Sequence, residues 1–217
     1  MRILQTEDGS FTFYNEEHQE PYHSKSGAYE ESVKKYVQPT KIQNGSKILD
    51  YCFGLGYNTL AAISQFDNLY VVAIELDKNV LMSLHQISFE EPILHALYQQ
   101  LSGQILQQIE LGKTDFEIII QTSTIRIIIE DVISTLPTLS SNFFDAIFFD
   151  PFSPAKQPEL WSEKQFRECY RVLKHKGILA TYSYARVVRD VIKTSGFLFM
   201  DGPCVGRRSP SSLGIKD

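Results

Sequence analysis

Cysteine is scarce in this chain of 217 residues, and the cysteines present form no recognisable bonding or metal-binding pattern. Cys52, Cys169 and Cys204 are widely spaced and odd in number, and none belongs to a Cys-x-x-Cys pair. Such spacing gives no support to a disulfide framework or a zinc site. We therefore expect no structural metal.

Long apolar runs and repeats are also missing. No stretch reaches the roughly 18 uncharged apolar residues that span a bilayer, and residues 1–8 lack a basic-then-apolar export pattern. No internal repeat or low-complexity linker interrupts the chain. At 43% hydrophobic residues, a chain of this length forms one domain that buries about 70% of its unfolded surface. We expect a soluble, cytoplasmic protein; a monomer is favoured, although the sequence leaves the oligomeric state open.

Charge is unevenly distributed around a net value of −5. From residue 156 onward there are 12 Lys and Arg against 6 Asp and Glu, whereas the preceding residues have 9 against 20. A basic C-terminal third on an acidic protein indicates either a phosphate-facing surface or an ordinary solvated surface with uneven charge. Composition alone leaves both open.

The rhythm of apolar residues predicts a small N-terminal extension, residues 1–47, packed on a main domain, residues 48–217. The extension contains a short strand at "FTFYN" and a helix over 27–37 that ends at Pro39. Apolar runs then alternate with helices, which is typical of βαβ units around a parallel sheet. Residues 80–112 have helical spacing, and two apolar runs flank a predicted hairpin turn at 121–124. Strands are predicted at 47–51, 70–74, 125–129, 146–149, 178–182, 197–200 and 212–215.

The turn after the first parallel strand carries the pattern of a ligand-binding loop. In "DYCFGLGYNTL", Gly54 and Gly56 allow backbone angles and close approach that side chains forbid. A dinucleotide fingerprint needs a third small residue at position 59, where Thr59 stands, and the loop lacks the Lys-Ser/Thr pair of a phosphate-binding P-loop. A structural turn without a ligand remains the alternative. The candidate cofactor-binding residues of this loop are Asp50, Cys52, Gly54, Gly56 and Asn58.

Acidic residues end four successive predicted strands, so they are expected on the rim where open α/β sheets bind ligands. Asp50 suits a positively charged group, such as the sulfonium and ammonium of S-adenosylmethionine, and would repel the pyrophosphate of NAD. Glu75, with Asp77 as the alternative, is placed to accept the ribose hydroxyls. Asp131, beside Glu130, is placed to receive an adenine amino group, or else caps a helix. Asp150 ends the fourth strand.

The segment after the fourth strand, "DPFSPAKQPELW", is stiffened by three prolines. Phe152 and Trp161 offer flat faces for a base or a cation. The alternative is a rigid surface loop whose aromatic side chains point inward. Asp-Pro-Phe also resembles the Asp-Pro-Pro-aromatic motif of enzymes that methylate exocyclic amino groups of nucleic acids.

Four blocks of sequence together resemble the methyltransferase domain of MnmC, the bifunctional enzyme that completes 5-methylaminomethyl-2-thiouridine at the wobble position of tRNA. The blocks are "DGSFTFYNEEHQEPYHSKSGAYEES", "FGLGYN", "FDAIFFDPFSPAKQPELW" and "GILATYSYARVVRDVIKTSGF" with the following "VGRR". Cys52 and Pro151 stand where the family usually has glycine, and residues 80–112 show little similarity. The second domain of the bifunctional enzyme is absent, so the chain looks like a standalone form.

This resemblance implies a Rossmann-like, doubly wound, mostly parallel seven-stranded sheet of the class I methyltransferases. It implies binding of S-adenosylmethionine and methylation of the primary amine of 5-aminomethyl(-2-thio)uridine in tRNA. Asp150 is the candidate catalytic residue and also contacts the cofactor. Tyr22, His23 and Ser24 close over the cofactor or substrate, or else belong to a solvated arm. The candidate substrate-binding residues are Phe152, Pro154, Lys156, Trp161, Arg186, Arg207 and Arg208.

Three other functions stay open at this point. An aminopropyltransferase of the spermidine synthase type has a similar sheet and an Asp-Pro-x-x-Pro-Ala-like loop, although its first loop usually has more glycine. A non-catalytic module that binds RNA or a partner is a second alternative, which the four strand-end acids disfavour. An NAD-dependent oxidoreductase is the third.

Overall fold

The N-terminal residues form a small antiparallel sheet followed by a helix. In this computed structural model, which describes residues 2–6, 11–22, 27–205 and 209–217, the strands are β1 (Arg2–Gln5), β2 (Phe11–Asn15) and β3 (Glu20–Pro21). The helix α1 (Ala28–Ser32) continues through a π-helical turn, Val33–Val37, into α2 (Gln38–Thr40). The helix extends one residue beyond Pro39, to Thr40, and ends at Lys41, which has a left-handed conformation with a φ of 55°.

An eight-stranded sheet forms the centre of the main domain, in the order β10-β11-β9-β8-β4-β5-β7-β6. Strands β4, β5, β7, β8 and β9 are parallel, whereas β6, β11 and β10 pair antiparallel with β7, β9 and β11 respectively. The strands are β4 (Lys47–Asp50), β5 (Tyr70–Glu75), β6 (Asp115–Ile120), β7 (Ser123–Ile129), β8 (Phe144–Phe148), β9 (Leu173–Thr181), β10 (Leu198–Asp201) and β11 (Ser212–Ile215).

The predicted fold class is confirmed, and the sheet has one strand more than the seven expected. The additional strand is β6, the first arm of the predicted hairpin, which pairs with β7 along its whole length. Gln121 provides the tight turn between them with a positive φ of 52°. Because alternate residues of β6 are buried and exposed, this edge strand has the pattern of a strand covered on one face only.

Helices cover both faces of the sheet, and the strands are correspondingly apolar on both sides. In β5, Val71 and Ala73 belong to one buried cluster, whereas Val72 and Ile74 belong to the other, because successive side chains of a strand alternate between faces. The helices are α3 (Tyr57–Ile63), α4 (Lys78–Ser83), α5 (Pro92–Glu110), α6 (Val132–Thr135), α7 (Glu163–Val172) and α8 (Arg186–Thr194), with short 3-10 turns at Leu84–Gln86 and Leu136–Thr138.

The N-terminal residues share the core of the main domain. Phe13, Tyr36 and Val37 are at most 1% exposed and pack in the same cluster as Ile48 and Leu60. The domain boundary at residue 47 stays a prediction. The two predicted segments do not have separate hydrophobic cores. Within the described ranges, none of the helices combines the length and apolar character needed to cross a membrane.

Candidate active site

A cavity of about 880 Å³ opens at the carboxyl ends of the parallel strands. Glu75 ends β5, Asp131 follows β7 and Asp150 follows β8, and all three line the cavity. The N-terminal sheet covers one side through residues of β2, β3 and the intervening turn. The cavity thus lies next to β4 and β8. The strand order reverses here, because β5 and β7 lie on one side of β4 and β8 lies on the other. Such a topological switch point is the usual ligand position in open α/β sheets.

The glycine loop between β4 and α3 adopts the conformation expected from its sequence. Gly54 and Gly56 have φ values of +53° and +75°, in the left-handed region that favours glycine. A Cβ at Gly56 would lie 2.5 Å from Cζ of Phe53, and one at Gly54 would lie 3.2 Å from Cδ1 of Tyr22. Gly54 lines the cavity. The loop can therefore approach a ligand closely with its backbone.

Glu75 supports this loop and faces the cavity. Its Oε2 accepts a hydrogen bond from the Gly54 N–H at 2.7 Å, and its Oε1 accepts one from the Asp77 N–H at 2.8 Å. Burial raises the pKa of Glu75 to about 7 despite these hydrogen bonds. Asp77, the alternative considered for this position, caps α4 by accepting from the Asn79 N–H at 2.8 Å.

Asp50 lies beneath the loop and is not among the residues that line the cavity. It is fully buried, and its Oδ2 accepts a hydrogen bond from the Thr59 hydroxyl at 2.7 Å. Its Oδ1 has no hydrogen-bond partner among the described residues. Burial raises the pKa of Asp50 to about 8. Thr59, which takes the place of the third small residue of a dinucleotide loop, thus anchors this carboxylate.

Asp131 both caps a helix and lines the cavity. Its side chain caps α6 by accepting from the Ile133 N–H at 2.8 Å, and it also lines the cavity beside Glu130. The cap occupies one carboxylate oxygen. Contact with an adenine amino group stays a prediction.

Asp150 is held from two sides of the fold. The Tyr36 hydroxyl, from the π-helical turn, donates a hydrogen bond to Oδ1, and Nδ2 of Asn58, from α3, donates one to Oδ2 at 2.9 Å. Asn58 is only 3% exposed and does not line the cavity. Asn58 thus contacts Asp150, and its contact with the cofactor stays a prediction.

The loop after β8 contacts the N-terminal sheet through Phe152. Its ring lies 4.5 Å from the His18 ring and 5.0 Å from the Tyr22 ring, measured between centroids, and all three residues line the cavity. Next to it, the Ser153 N–H and hydroxyl both donate to Glu20 of β3. The loop and the N-terminal sheet therefore form one continuous wall.

Trp161 is not among the residues that line the cavity. This agrees with the alternative in which the aromatic side chains of the loop point inward. It is 4% exposed, packs against Phe149, Phe166 and Tyr182, and donates its indole N–H to the Phe152 carbonyl at 2.8 Å. A ring in this position supports the loop and has no free face for a base. Pro154 and Lys156 are also absent from the described lining, and Lys156 is exposed.

The predicted basic residues lie on the surface or outside the described ranges. The Arg186 side chain is 88% exposed at the start of α8 and lies 3.6 Å from a carboxylate oxygen of Asp190. His23, Ser24, Arg207 and Arg208 fall outside the described residues. Cys52 lines the cavity, and burial raises the pKa of its thiol well above the usual range.

Several lining residues were missed by sequence reasoning. The most informative are Glu31 and Lys35, which form an almost fully buried ion pair in the cavity wall, and Tyr36 behind them. Their (i, i+4) spacing is the only sequence signal, and on most helices such a pair is exposed. Burial of the pair follows from tertiary packing, which the local sequence does not encode.

The described lining is strongly acidic. It contains nine carboxylate side chains and a single lysine, Lys35, which is paired with Glu31. Among the described residues, no group of His, Cys, Asp and Glu is arranged to hold a metal ion. Such a cavity favours ligands with positive charge and disfavours phosphate groups. The carboxylates are Glu17, Glu20, Glu31, Glu75, Asp77, Glu130, Asp131, Asp150 and Glu159.

Fold and site together define an open, doubly wound α/β protein with a ligand cavity at its topological switch point. A sequence model of the S-adenosyl-L-methionine-dependent methyltransferases matches residues 92–217, more than half of the chain. The chain therefore belongs to this family, and its cofactor is S-adenosyl-L-methionine. The described residues fit that cofactor: the lining is acidic, the glycine loop is open to close approach, and a buried carboxylate oxygen of Asp50 lies unpartnered below it.

Individual relatives with similar sequences narrow the position of the chain within this family. An uncharacterized protein of Methanocaldococcus jannaschii is 28% identical over 99% of the chain, which spans 59% of that relative. The tRNA 5-methylaminomethyl-2-thiouridine biosynthesis bifunctional protein MnmC of Leptospira interrogans is 28% identical over 80% of the chain, which spans 27% of it. The chain thus matches only part of the length of these relatives.

Solved structures agree with this placement. The crystal structure of MnmC2 from Aquifex aeolicus has a TM-score of 0.80 and 26% identity, covering 98% of this chain and 69% of that one. The spermidine synthase of Thermotoga maritima covers 100% and 71% with a TM-score of 0.56 and 14% identity, which is a likeness of fold alone. The resemblance to the MnmC methyltransferase domain is confirmed.

Proposed function

We propose that this protein transfers a methyl group to the primary amine of 5-aminomethyl(-2-thio)uridine at the wobble position of tRNA. The observation that carries the proposal is the placement of Asp150 in an acid-lined cavity beside Phe152, fixed by Tyr36 and Asn58. A carboxylate so placed suits an amine acceptor. The similarity to MnmC proteins, which are named for 5-methylaminomethyl-2-thiouridine biosynthesis in tRNA, supports the same substrate class.

The glycine loop and the strand-end carboxylates are proposed to hold the cofactor. Bound S-adenosylmethionine supplies an electrophilic methyl group on a positively charged sulfur. Gly54 and Cys52 offer backbone at the cavity surface, and Glu75 presents its carboxylate next to them. Asp131 and Glu130 lie at the next strand end for contact with a base. Asp50 lies below the loop, outside the cavity lining, and would act through the charge that it gains on ionisation rather than by direct contact.

Asp150 is proposed to align the amine. An alkylamine with a pKa near that of lysine, about 10.4, is neutral to only roughly 0.04% at pH 7, a handicap of about 4 to 5 kcal/mol. Phe152 and Pro151 line the cavity next to Asp150, so they exclude water where the amine would lie. Desolvation lowers the pKa of an amine, and the Asp150 carboxylate accepts an N–H hydrogen bond that directs the lone pair toward the methyl group.

Contacts with the rest of the tRNA are proposed outside the cavity. Phosphates are disfavoured by the acidic lining, so they would meet the basic C-terminal third of the chain. Arg186 and Lys156 are exposed and available there, and Arg207 and Arg208 stay predictions. Tyr22 lies against Gly54, which supports closure of the N-terminal segment over the cofactor, with His23 and Ser24 as predicted neighbours.

The test is transfer of labelled methyl from S-adenosylmethionine to tRNA from cells that lack this gene, followed by nucleoside analysis. We expect label in a 5-methylaminomethyl uridine, and its loss in Asp150→Asn. Asp145→Asn is the matched control, because Asp145 lies on the same strand at the opposite end and bonds to Lys47 and Lys174. Transfer of a labelled aminopropyl group from decarboxylated S-adenosylmethionine to a polyamine would favour the aminopropyltransferase, and cofactor binding without turnover would favour a binding module.

A further inference from the structure

Tyr36 is buried behind Asp150 rather than in the cavity. It is 1% exposed and is not among the residues that line the cavity. Its ring packs edge-on against Phe148, the last residue of β8, with 6.0 Å between centroids. The hydroxyl reaches past this contact to Oδ1 of Asp150. Tyr36 therefore reaches the carboxylate without being part of the described cavity lining.

The two hydrogen bonds leave Asp150 with a defined orientation. Tyr36 binds one oxygen and Asn58 binds the other, so rotation of the carboxylate about its last torsion would break both. Both hydrogen bonds are donated to the carboxylate, and such bonds favour the ionised form of an acid over its protonated form. Burial and the neighbouring Asp150 raise the pKa of Tyr36 well above its usual range, so its hydroxyl keeps the proton that it donates.

The helix geometry supports a specific role for this residue. A π-helical turn covers Val33–Val37, and such turns are frequent at functional sites because they redirect single side chains. Here consecutive residues take different positions: Lys35 lies in the cavity wall with Glu31, while Tyr36 reaches Asp150. A link made only for stability would not require a hydroxyl at the one carboxylate proposed to meet the substrate.

We propose that Tyr36 and Asn58 are positioning residues that hold the Asp150 carboxylate oriented toward the substrate amine. This inference depends on the proposed function only in one respect, which is that the substrate group is an amine of a tRNA uridine. Neither residue is expected to contact substrate. Both residues act by orienting the Asp150 carboxylate, so their effect can be measured on Asp150 itself in the absence of substrate.

Other titratable groups surround Asp150, so its own titration must be followed directly. Glu75 and Asp50 have pKa values raised to about 7 and about 8, and they would mix with Asp150 in any activity profile. Among the described residues, Asp50 and Cys52 interact electrostatically with Asp150, and the titratable residues Glu31, Lys35, Glu75 and Tyr182 line the same cavity. All of them are retained when Tyr36 loses only its hydroxyl.

The experiment compares Tyr36→Phe with the wild-type protein by carbon-13 NMR of labelled aspartate carboxyls, with the Asp150 signal assigned from Asp150→Asn. Loss of one donor should raise the pKa of Asp150 by about one unit. The same variant should lower kcat about tenfold and leave the Kd for S-adenosylmethionine, measured by calorimetry, within about twofold. Tyr70→Phe is the control, because Tyr70 donates to the Glu117 carboxylate at the other end of β5.

Asn58→Ala provides a second variant should Tyr36→Phe fail to fold, and it should shift the pKa in the same direction. An unchanged Asp150 titration in a folded variant would overturn the proposal, as would a shift of equal size in Tyr70→Phe. If the shift is found but wild-type protein transfers no methyl to tRNA, the positioning role stands and the proposed substrate fails. The two conclusions are thereby separated.

Discussion

Glu20 and Ser153 join two parts of the chain that are 133 residues apart. The Glu20 carboxylate accepts from the Ser153 N–H at 3.1 Å and also from its hydroxyl, so β3 is tied to the loop that carries Phe152. His18 and Tyr22 pack on Phe152 from the same sheet. This part of the cavity wall is therefore built jointly by residues 15–22 and the loop after β8.

We predict that Glu20→Ala loosens this wall. Loss of hydrogen bonds to a charged group costs about 1.5 to 3 kcal/mol locally, so the KM for S-adenosylmethionine should rise several-fold. Limited proteolysis should cut the N-terminal residues faster. Glu16→Ala is the control, since Glu16 is exposed and does not line the cavity. Equal KM values and equal proteolysis rates for the two variants would contradict a stabilising role of the hydrogen bonds between Glu20 and Ser153.

Replacing glycine by alanine should have opposite effects on stability in the glycine loop and in the helix α5. Gly56→Ala places a Cβ 2.5 Å from Phe53 at a φ of +75°, so it should lower the free energy of unfolding by about 1 to 2 kcal/mol and weaken cofactor binding. Gly103→Ala, within α5, meets nothing within 4 Å and should raise stability by about 0.5 to 1 kcal/mol. Urea denaturation of both variants checks the opposite signs. Stabilisation by Gly56→Ala would refute the close-packed loop.

The sequence predicted the sheet because its signals are local. Dense apolar runs such as 70–74 mark strands covered on both faces, and Gly54 and Gly56 mark the turn that follows β4. The rim of acids followed from strand direction alone. These features depend on neighbours in sequence, where propensity and periodicity are informative.

The site could be predicted only in part because its contacts are not local. Tyr36 and Asp150 are separated by 114 residues, and nothing in "KKYV" indicates that the tyrosine meets a strand end. Trp161 is the converse example, because an aromatic residue in a proline-rich loop can point either way, and here it packs under the loop. Such choices depend on how the whole core closes.

Trp161 and Phe152 should respond differently to substitution. Trp161→Phe removes a buried indole and its hydrogen bond to the Phe152 carbonyl, so thermal stability should fall by about 1 to 3 kcal/mol. Phe152→Leu at the cavity surface should leave stability within about 0.5 kcal/mol and lower kcat/KM for tRNA. Thermal unfolding and steady-state kinetics measure the two effects. A raised KM with normal stability in Trp161→Phe would restore it as a substrate contact.

Arg186 should affect tRNA binding through charge alone. Arg186→Gln is expected to raise the KM for tRNA severalfold and to reduce the slope of log Kd against log salt by about one. The affinity for S-adenosylmethionine should not change, because Arg186 is not among the described lining residues. Lys113→Gln, an exposed lysine that bonds to Gln108 in α5, is the control. An unchanged salt slope in Arg186→Gln would exclude a phosphate contact there.

Asp50 should make the stability of the cofactor-free protein fall as pH rises. Burial raises its pKa from 3.8 to about 8, so between these values the folded state keeps a proton that the unfolded state has lost. By linkage the free energy of unfolding decreases across that window. Asp50→Asn should therefore show a shallower decrease from pH 5 to pH 8 in urea denaturation, with a remaining slope from Glu75.

The control for this slope is Asp115→Asn. Arg126 lowers the pKa of Asp115, so its stabilising contribution is lost only as pH falls below the usual carboxylate range, and between pH 5 and 8 its curve should parallel the wild type. Ionisation of Asp50 should also tighten binding of the positively charged cofactor between pH 6 and 8.5, and this gain should shrink in Asp50→Asn. Parallel stability curves for wild type and Asp50→Asn would mean that Asp50 is already ionised in the folded protein, with its charge stabilised by its surroundings.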